Sequence, residues 1–230
     1  MNFHTNYTSA AALIGDPVRA LMLNALLDGR ALAAGELAFA AGVTPQTASS
    51  HLHKLLDGGL VRVETEGRHR YFRLTGPHVA EALERLAAIG SQPVHRRAPT
   101  REAAALRDAR SCYNHLAGRI GVEVVTRRLQ AGSLLLPIPN RRFEVTGAGP
   151  EWFASLGIDT SKLKPGTRGV ARQCLHWTER EHHLAGPVGV ALLTSFLDRH
   201  WLRREQTGRA LQVTPKGRSE LKRRLGVQLD

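Results

Sequence analysis

The sequence predicts a mainly α-helical protein with small β-hairpins, in which an N-terminal winged helix-turn-helix precedes two repeated helix-hairpin units of winged-helix-like form. Three observations predict this architecture. Capped helices with apolar residues at helical spacing fill the first part of the chain, two short β-rich segments follow them, and the second half of the chain repeats itself. Together they place the winged motif within residues 10–76 and the repeats beyond residue 104.

The first part of the chain carries clear signals for where helices start and stop. Asp16-Pro17 is typical of an N-cap and a first helical position, and Gly29 can end the helix that follows. A second short helix is predicted over residues 34–40. Gly42 then provides a tight turn, because glycine adopts positive φ at no steric cost. Thr44-Pro45 starts a third helix, which is predicted to end near residue 56.

Two β-rich segments follow the third helix and complete the winged helix-turn-helix motif. Residues 60–64 and 69–74 predict strands joined by a turn at residues 66–68. Such a motif places the N-terminal residues of its third helix in the major groove of duplex DNA and the hairpin, or wing, on the phosphates. The expected base-reading residues are Gln46, Thr47, Ser49, Ser50 and His51, and the expected backbone and wing contacts are Lys54, Arg62, Arg68, His69 and Arg70.

Three segments of this module resemble the ArsR/SmtB family of winged-helix regulators: GDPVRALMLNALL, ELAFAAGVTPQTASSHLHKLLDGGLV and EGRHRYFRL. The resemblance covers most of residues 15–74. It implies a sequence-specific transcriptional regulator, a repressor by type, which binds an inverted-repeat operator as a homodimer. The alternative is a winged-helix module that binds or scaffolds proteins without specific DNA binding. We expect DNA binding to require no cofactor.

The metal sites of that family are not evident in the first half of the chain. Residues 37–41, where many members carry sensing thiolates, contain no cysteine. The helix predicted after the wing, over residues 77–89, carries His78, Glu81 and Glu84. Two or three such residues at helical spacing are common on a solvated helix, so this pattern favours an ordinary exposed surface.

Composition bounds the class of protein. The 230 residues carry a formal charge of +12, which favours a polyanionic partner. Residues 1–90 contain eight basic and eight acidic residues, so the whole excess lies in the second half. No apolar run is long enough to span a membrane and no secretory signal is visible, so a cytoplasmic location is expected. No glycine-rich phosphate loop or hydrolase motif occurs, which argues against an enzyme.

The second half of the chain is an internal repeat with a shift of 68 residues. The sequence His-Leu-Ala-Gly at 115–118 recurs at 183–186, and Val-Thr at 145–146 recurs at 213–214. Each copy predicts a helix, a strand pair and another helix. The phrases SCYNHLAGRIGV and CLHWTEREHHLAGPVGVALL also resemble the C-terminal region of longer ArsR-type regulators. The predicted domains are a DNA-binding domain at 1–90, a linker at 91–104 and a duplicated regulatory or dimerisation domain at 105–230, with repeats near 112–158 and 174–227.

This second half holds the candidate residues for an effector or a thiol sensor, namely Cys112, His115, Cys174, His176, Trp177 and His183. A zinc ion or a softer transition metal could use Cys112, His115, Cys174 and His176. However, the spacing matches no zinc motif, and the cysteines precede the repeated histidines by three residues in one copy and nine in the other. A redox-sensing thiol, a small-molecule pocket and plain core packing therefore stay open.

Overall fold

The computed structural model describes residues 7–66, 69–90, 101–166, 169–175, 181–205 and 208–227. The chain divides into two compact units, Met1–Leu83 and Glu84–Asp230. Arg68, His176, Trp177 and most of the predicted linker lie outside the described residues, as does the side chain of His69. No single helix among the described residues is long and apolar enough to cross a membrane, although the helical segments Tyr7–Ile14 and Pro17–Asp28 meet that test as a pair bent by 88°.

The first unit is a winged helix-turn-helix, as the sequence predicts. Its elements are α1 (Tyr7–Ile14), α2 (Pro17–Ala25) with a 3-10 turn (Leu26–Asp28), β1 (Leu32–Ala33), α3 (Ala34–Ala41), α4 (Pro45–Asp57), β2 (Val61–Glu66), β3 (His69–Leu74) and α5 (Pro77–Gly90), which crosses the boundary between the units. The strands form an antiparallel sheet in the order β1-β3-β2. Neither α1 nor β1 is predicted from the sequence, and β1 has only two residues.

The predicted caps explain where the helices of this unit begin and end. The side chain of Asp16 accepts a hydrogen bond from the Arg19 backbone N–H, and Thr44 Oγ1 accepts one from Thr47 N–H at 3.2 Å. Gly42 ends α3 at φ 65°, in the left-handed region that favours glycine. Because this turn joins α3 to α4, it sets the direction in which α4 leaves the core.

The second unit contains the two predicted repeats. Its elements are α6 (Arg101–Asp108), β4 (Arg110–Cys112), β5 (His115–Ala117), a π-helical stretch (Ile120–Thr126) that continues as α7 (Arg127–Ala131), β6 (Leu135–Ile138), β7 (Arg142–Val145), α8 (Gly149–Ala154), β8 (Arg172–Leu175), β9 (His182–Ala185), α9 (Gly186–Asp198), β10 (Leu202–Arg204), β11 (Leu211–Val213) and α10 (Pro215–Leu225). Each copy is therefore a hairpin, a helix, a second hairpin and a second helix. The opening hairpins β4-β5 and β8-β9 are not predicted from the sequence.

In each copy, a threonine hydroxyl just after the second hairpin contacts a backbone carbonyl oxygen just before that hairpin. Thr146 Oγ1 donates to the Ser133 carbonyl at 3.1 Å, and Thr214 Oγ1 contacts the Trp201 carbonyl at 3.3 Å, which is the same pair of positions 68 residues later. In the first unit, Thr75 at the end of the wing donates to the Gly59 carbonyl at 2.7 Å. The shared contact supports the prediction that the repeats are winged-helix-like.

One hydrophobic core serves both copies. Leu129 and Phe153 from the first copy pack in the same buried cluster as Phe196, Trp201 and Leu221 from the second. Hydrogen bonds also join the copies directly: the Leu184 backbone N–H donates to buried Thr126 Oγ1 at 3.0 Å, and β7 pairs with β8 at Arg142 and Arg172. Trp201, 2% exposed, is thus a core residue rather than the wall of an open pocket.

An ion cluster is buried where α5 enters the second unit. Glu84 is 4% exposed and forms ion pairs with Arg209, which is 7% exposed, and with Arg110, which is 1% exposed. The Arg110 pair spans 3.7 Å. Glu84 therefore has a structural role, whereas His78 on the same helix is exposed to solvent.

Candidate functional site

The exposed face of α4 carries most of the predicted base-reading residues. Gln46, Thr47, Ser49 and Ser50 are all exposed, and so is Lys54 one turn further along. At 100° per residue, positions 46, 49 and 50 share one face of the helix. Ala48, Leu52 and Leu55 lie on the opposite face, where they are buried. The apolar stripe therefore seats α4 against the core and leaves its polar first two turns open to a ligand.

His51 differs from the other predicted base-reading residues. Its side chain is 18% exposed, and its Nδ1 lies 3.5 Å from the Asp16 carboxylate at the start of α2. This contact joins α4 to the N-cap residue of α2. His51 is thus positioned to orient the helix, whereas its neighbours face solvent.

The wing presents two arginines in different ways. Arg62 is exposed but lies 3.1 Å from Glu64, which is also 3.3 Å from Arg73. Arg70 is exposed and its guanidinium lies over the Phe72 ring, 5.7 Å from the centroid. Since no carboxylate is close enough to pair with Arg70 in the described residues, its charge is the more available of the two for a phosphate.

In the second unit, the structure brings Cys112, His115, Cys174 and His183 together. All four are buried, and one ligand atom from each lies within 4.8 Å of the others. The Cys112 and Cys174 sulfurs are 3.9 Å apart, and the Nε2 atoms of His115 and His183 are 3.1 Å apart. Neither cysteine is in a disulfide bond. We call this group the Cys–His cluster.

The apparent mismatch in cysteine spacing is resolved by the strand register. Cys112 is directly opposite His115 in hairpin β4-β5, and Cys174 is directly opposite His183 in hairpin β8-β9. The expectation that the cysteines occupy different places in the two copies is therefore wrong. The copies differ in length between the paired residues, since two residues separate Cys112 from His115 and eight separate Cys174 from His183. Pairing by strand register could have revealed this, whereas linear spacing could not.

The burial and the pKa of the thiols in the Cys–His cluster indicate whether they can act as redox sensors. The hydrogen bond with the Cys174 thiol, together with burial, raises the pKa of Cys112 well above its ordinary value. Reactive redox cysteines have a lowered pKa and some exposure. Cys112, at 3% exposed, has neither property. A solvent-facing oxidation sensor is therefore disfavoured relative to a role inside the fold.

Comparison with known proteins adds to this geometry. The family model described as a helix-turn-helix domain matches residues 14–64. YdfF of Bacillus subtilis strain 168, described as an uncharacterized HTH-type transcriptional regulator, is 40% identical over 225 residues, which cover 97% of this chain and 99% of YdfF. The HTH-type transcriptional regulator CmtR of Mycobacterium tuberculosis H37Rv is 40% identical over 85 residues, covering 35% of this chain and 71% of CmtR.

Solved structures are similar to part of the chain. The homodimeric winged helix-turn-helix DNA-binding domain Mb0332 of Mycobacterium bovis, described as a possible ArsR-family transcriptional regulator, is 26% identical; the match covers 41% of this chain and 86% of that domain, with a TM-score of 0.36. The resemblance to YdfF extends through both repeats as well as the winged unit. The chain belongs to the HTH-type transcriptional regulators, and it is a DNA-binding transcriptional regulator.

Proposed function

We propose that this regulator is a dimeric repressor that reads an inverted-repeat operator through the exposed polar face of α4. The observation that carries the proposal is that α4 has its polar residues on one exposed face and its apolar residues on the opposite, buried face. Gln46, Ser49 and Ser50 are open at its N-terminal end, while Leu52 and Leu55 anchor the opposite face. Short polar side chains at the start of a helix can reach base edges in the major groove.

The wing and the rest of α4 supply the contacts that hold the duplex in register. Arg70 and Lys54 are exposed, and each would contribute one phosphate contact. The winged domain as predicted carries no net charge, so its affinity would depend on these few well-placed cations rather than on a broad positive field. Arg68 and His69 remain part of this proposal by their place at the predicted wing tip.

The proposal of a homodimer has support on α5. Leu86 and Ile89 lie three residues apart on this helix and are 47% and 78% exposed, which is a large exposure for apolar side chains. A second copy of the chain, paired through helices that flank the winged motif, would cover them. Two copies related by a twofold axis would then match the symmetry of an inverted repeat. An effector that acts on the second unit would release the operator.

The wing assignment predicts a change in salt dependence. Replacing Arg70 by alanine should weaken binding to operator and random duplex alike, and should lower the slope of log K against log salt by about 1. A titration of each variant with labelled duplex at several salt concentrations measures this slope. Arg128→Ala is the matched control, because Arg128 is an exposed arginine on α7, outside the winged unit. An unchanged slope for Arg70→Ala would contradict the wing assignment.

The base-reading assignment predicts a different signature. Gln46→Ala should lose about 1–3 kcal/mol at one base pair of each half-site and leave binding to random duplex unchanged. Selection of binding sites from a randomised duplex pool, followed by sequencing, measures the preference at each position. Ser219→Ala, an exposed change on α10, serves as the control. If Gln46→Ala selects the same sites as the parent with the same preference, α4 does not read bases through this residue.

A further inference from the structure

The two opening hairpins of the second unit contribute the same pair of side chains. Each places a cysteine on its first strand and a histidine directly opposite on its second, at Cys112 and His115 and at Cys174 and His183. The first hairpin closes tightly because Tyr113, between Cys112 and His115, adopts φ 59°. The repeat thus supplies two copies of one Cys-His pair, and the fold brings both copies to one point.

The distances between these side chains match a four-coordinate metal site. Zinc binds cysteine sulfur at about 2.3 Å and histidine nitrogen at about 2.0–2.1 Å with tetrahedral geometry, so two sulfurs lie about 3.8 Å apart and two nitrogens about 3.3 Å apart. The observed separations are 3.9 Å for the sulfurs of Cys112 and Cys174 and 3.1 Å for the Nε2 atoms of His115 and His183. Either separation alone would also suit a hydrogen bond within the pair, so a metal is favoured because all four ligand atoms, two sulfurs and two nitrogens, lie within 4.8 Å of one another.

The surroundings of the Cys–His cluster favour a closed site. Ala117 and Ala185 pack with the two cysteines and are fully buried, which leaves room for the hairpins to approach each other. Gly189 lets the first turn of α9 lie close to Leu184 and His115. A Cβ at this position would be 2.6 Å from the Leu184 carbonyl oxygen and 3.4 Å from His115 Cβ. Gly121, the equivalent residue of the first copy, has the same relation to Leu116.

We propose that Cys112, His115, Cys174 and His183 bind one Zn²⁺ ion per chain. Two thiolates and two neutral imidazoles fill all four positions, which is the pattern of a structural rather than a catalytic zinc site. On binding, each thiol gives its proton to solvent, and the two thiolate charges balance the charge of the ion. The ion joins the opening hairpins of the two repeats. This site does not depend on how the first unit reads DNA.

The proposal is tested by metal analysis of the full chain purified in reductant without chelator. We expect one zinc per chain. Replacement by Co²⁺ should give the visible d–d bands of tetrahedral coordination and a near-ultraviolet thiolate-to-cobalt band. His183→Ala and Cys112→Ser should each bind at least about 100-fold more weakly, because loss of even a residue behind a metal ligand costs 10–100-fold. His182→Ala is the matched control, since His182 is the exposed neighbour on β9 and should keep the ion.

A second measurement keeps the test independent of folding defects in the variants. In the parent chain, both thiols should react with a thiol reagent only after a chelator has removed the ion, and added Zn²⁺ should protect them again. The proposal is overturned if the reduced, folded parent binds neither Zn²⁺ nor Co²⁺. It is equally overturned if His183→Ala, folded by circular dichroism, binds as tightly as His182→Ala.

Discussion

Replacing Glu84 by alanine should lower the free energy of unfolding of the second unit by about 3–5 kcal/mol, because the change leaves two buried guanidinium groups without their shared carboxylate. Arg110 and Arg209 both pair with Glu84, and all three residues are less than 10% exposed. A charge in such a place cannot recover its hydration unless the surrounding structure opens. Urea denaturation followed by circular dichroism measures the loss.

Glu144→Ala provides the control for this prediction. Glu144 lies on β7 in the same unit and is exposed, so its removal should change stability by no more than about 0.5 kcal/mol. Glu84→Gln should fall between the two, since the amide keeps the shape and one acceptor but not the charge. If Glu84→Ala unfolds at the same urea concentration as the parent, the buried ion cluster does not stabilise the unit.

Replacing Gly217 by alanine should destabilise the same unit by about 1–3 kcal/mol, as expected when a new atom is forced against the backbone in a packed core. A Cβ at this position would lie 2.0 Å from the Trp201 carbonyl oxygen and 2.7 Å from its carbonyl carbon. The obstacle is main chain, so no side-chain rotation can relieve it. Thermal unfolding of the parent and variant measures the effect.

Ser219→Ala tests whether the loss is specific to that contact. Ser219 is an exposed residue on α10, the same helix, and alanine there should be neutral within about 0.5 kcal/mol. Gly149, the equivalent residue of the first copy, would place its Cβ 2.6 Å from the Leu134 carbonyl oxygen, so Gly149→Ala should also destabilise. A Gly217→Ala variant as stable as Ser219→Ala would mean that α10 can move away from Trp201 at little cost.

Much of the first unit is predictable from sequence because its signals are local. The caps at Asp16 and Thr44 and the turn at Gly42 each depend on residues within one helical turn, and all three are confirmed. The opening hairpins of the second unit are missed for the opposite reason. Their strands are three or four residues long, too short for an alternating pattern of apolar and polar residues to identify them.

In the candidate sites, too, the features that depend on local sequence are predicted and those that depend on contacts between distant residues are not. The exposed face of α4 follows from helical periodicity, so most of its residues are predicted, but the contact of His51 with Asp16 joins two helices and cannot be read from spacing. In the Cys–His cluster the sequence provides the right residue types. Among the described residues the fourth member is His183, while His176, which the sequence favours because it lies nearer to Cys174 in the chain, is outside the described residues. Strand pairing places His183 directly opposite Cys174, and linear spacing does not reveal this contact.

The single core that serves both copies in the second unit has a further consequence. Stacked repeats ordinarily contact only their neighbours, so each one carries a stability of its own and can be deleted or added. Here Leu129 and Phe153 share their packing with Phe196 and Trp201, and Thr126 of the first copy accepts the N–H of Leu184 in the second. Neither copy is a removable module. The two copies therefore form one cooperative unit, and a destabilising substitution in either copy lowers the stability of both.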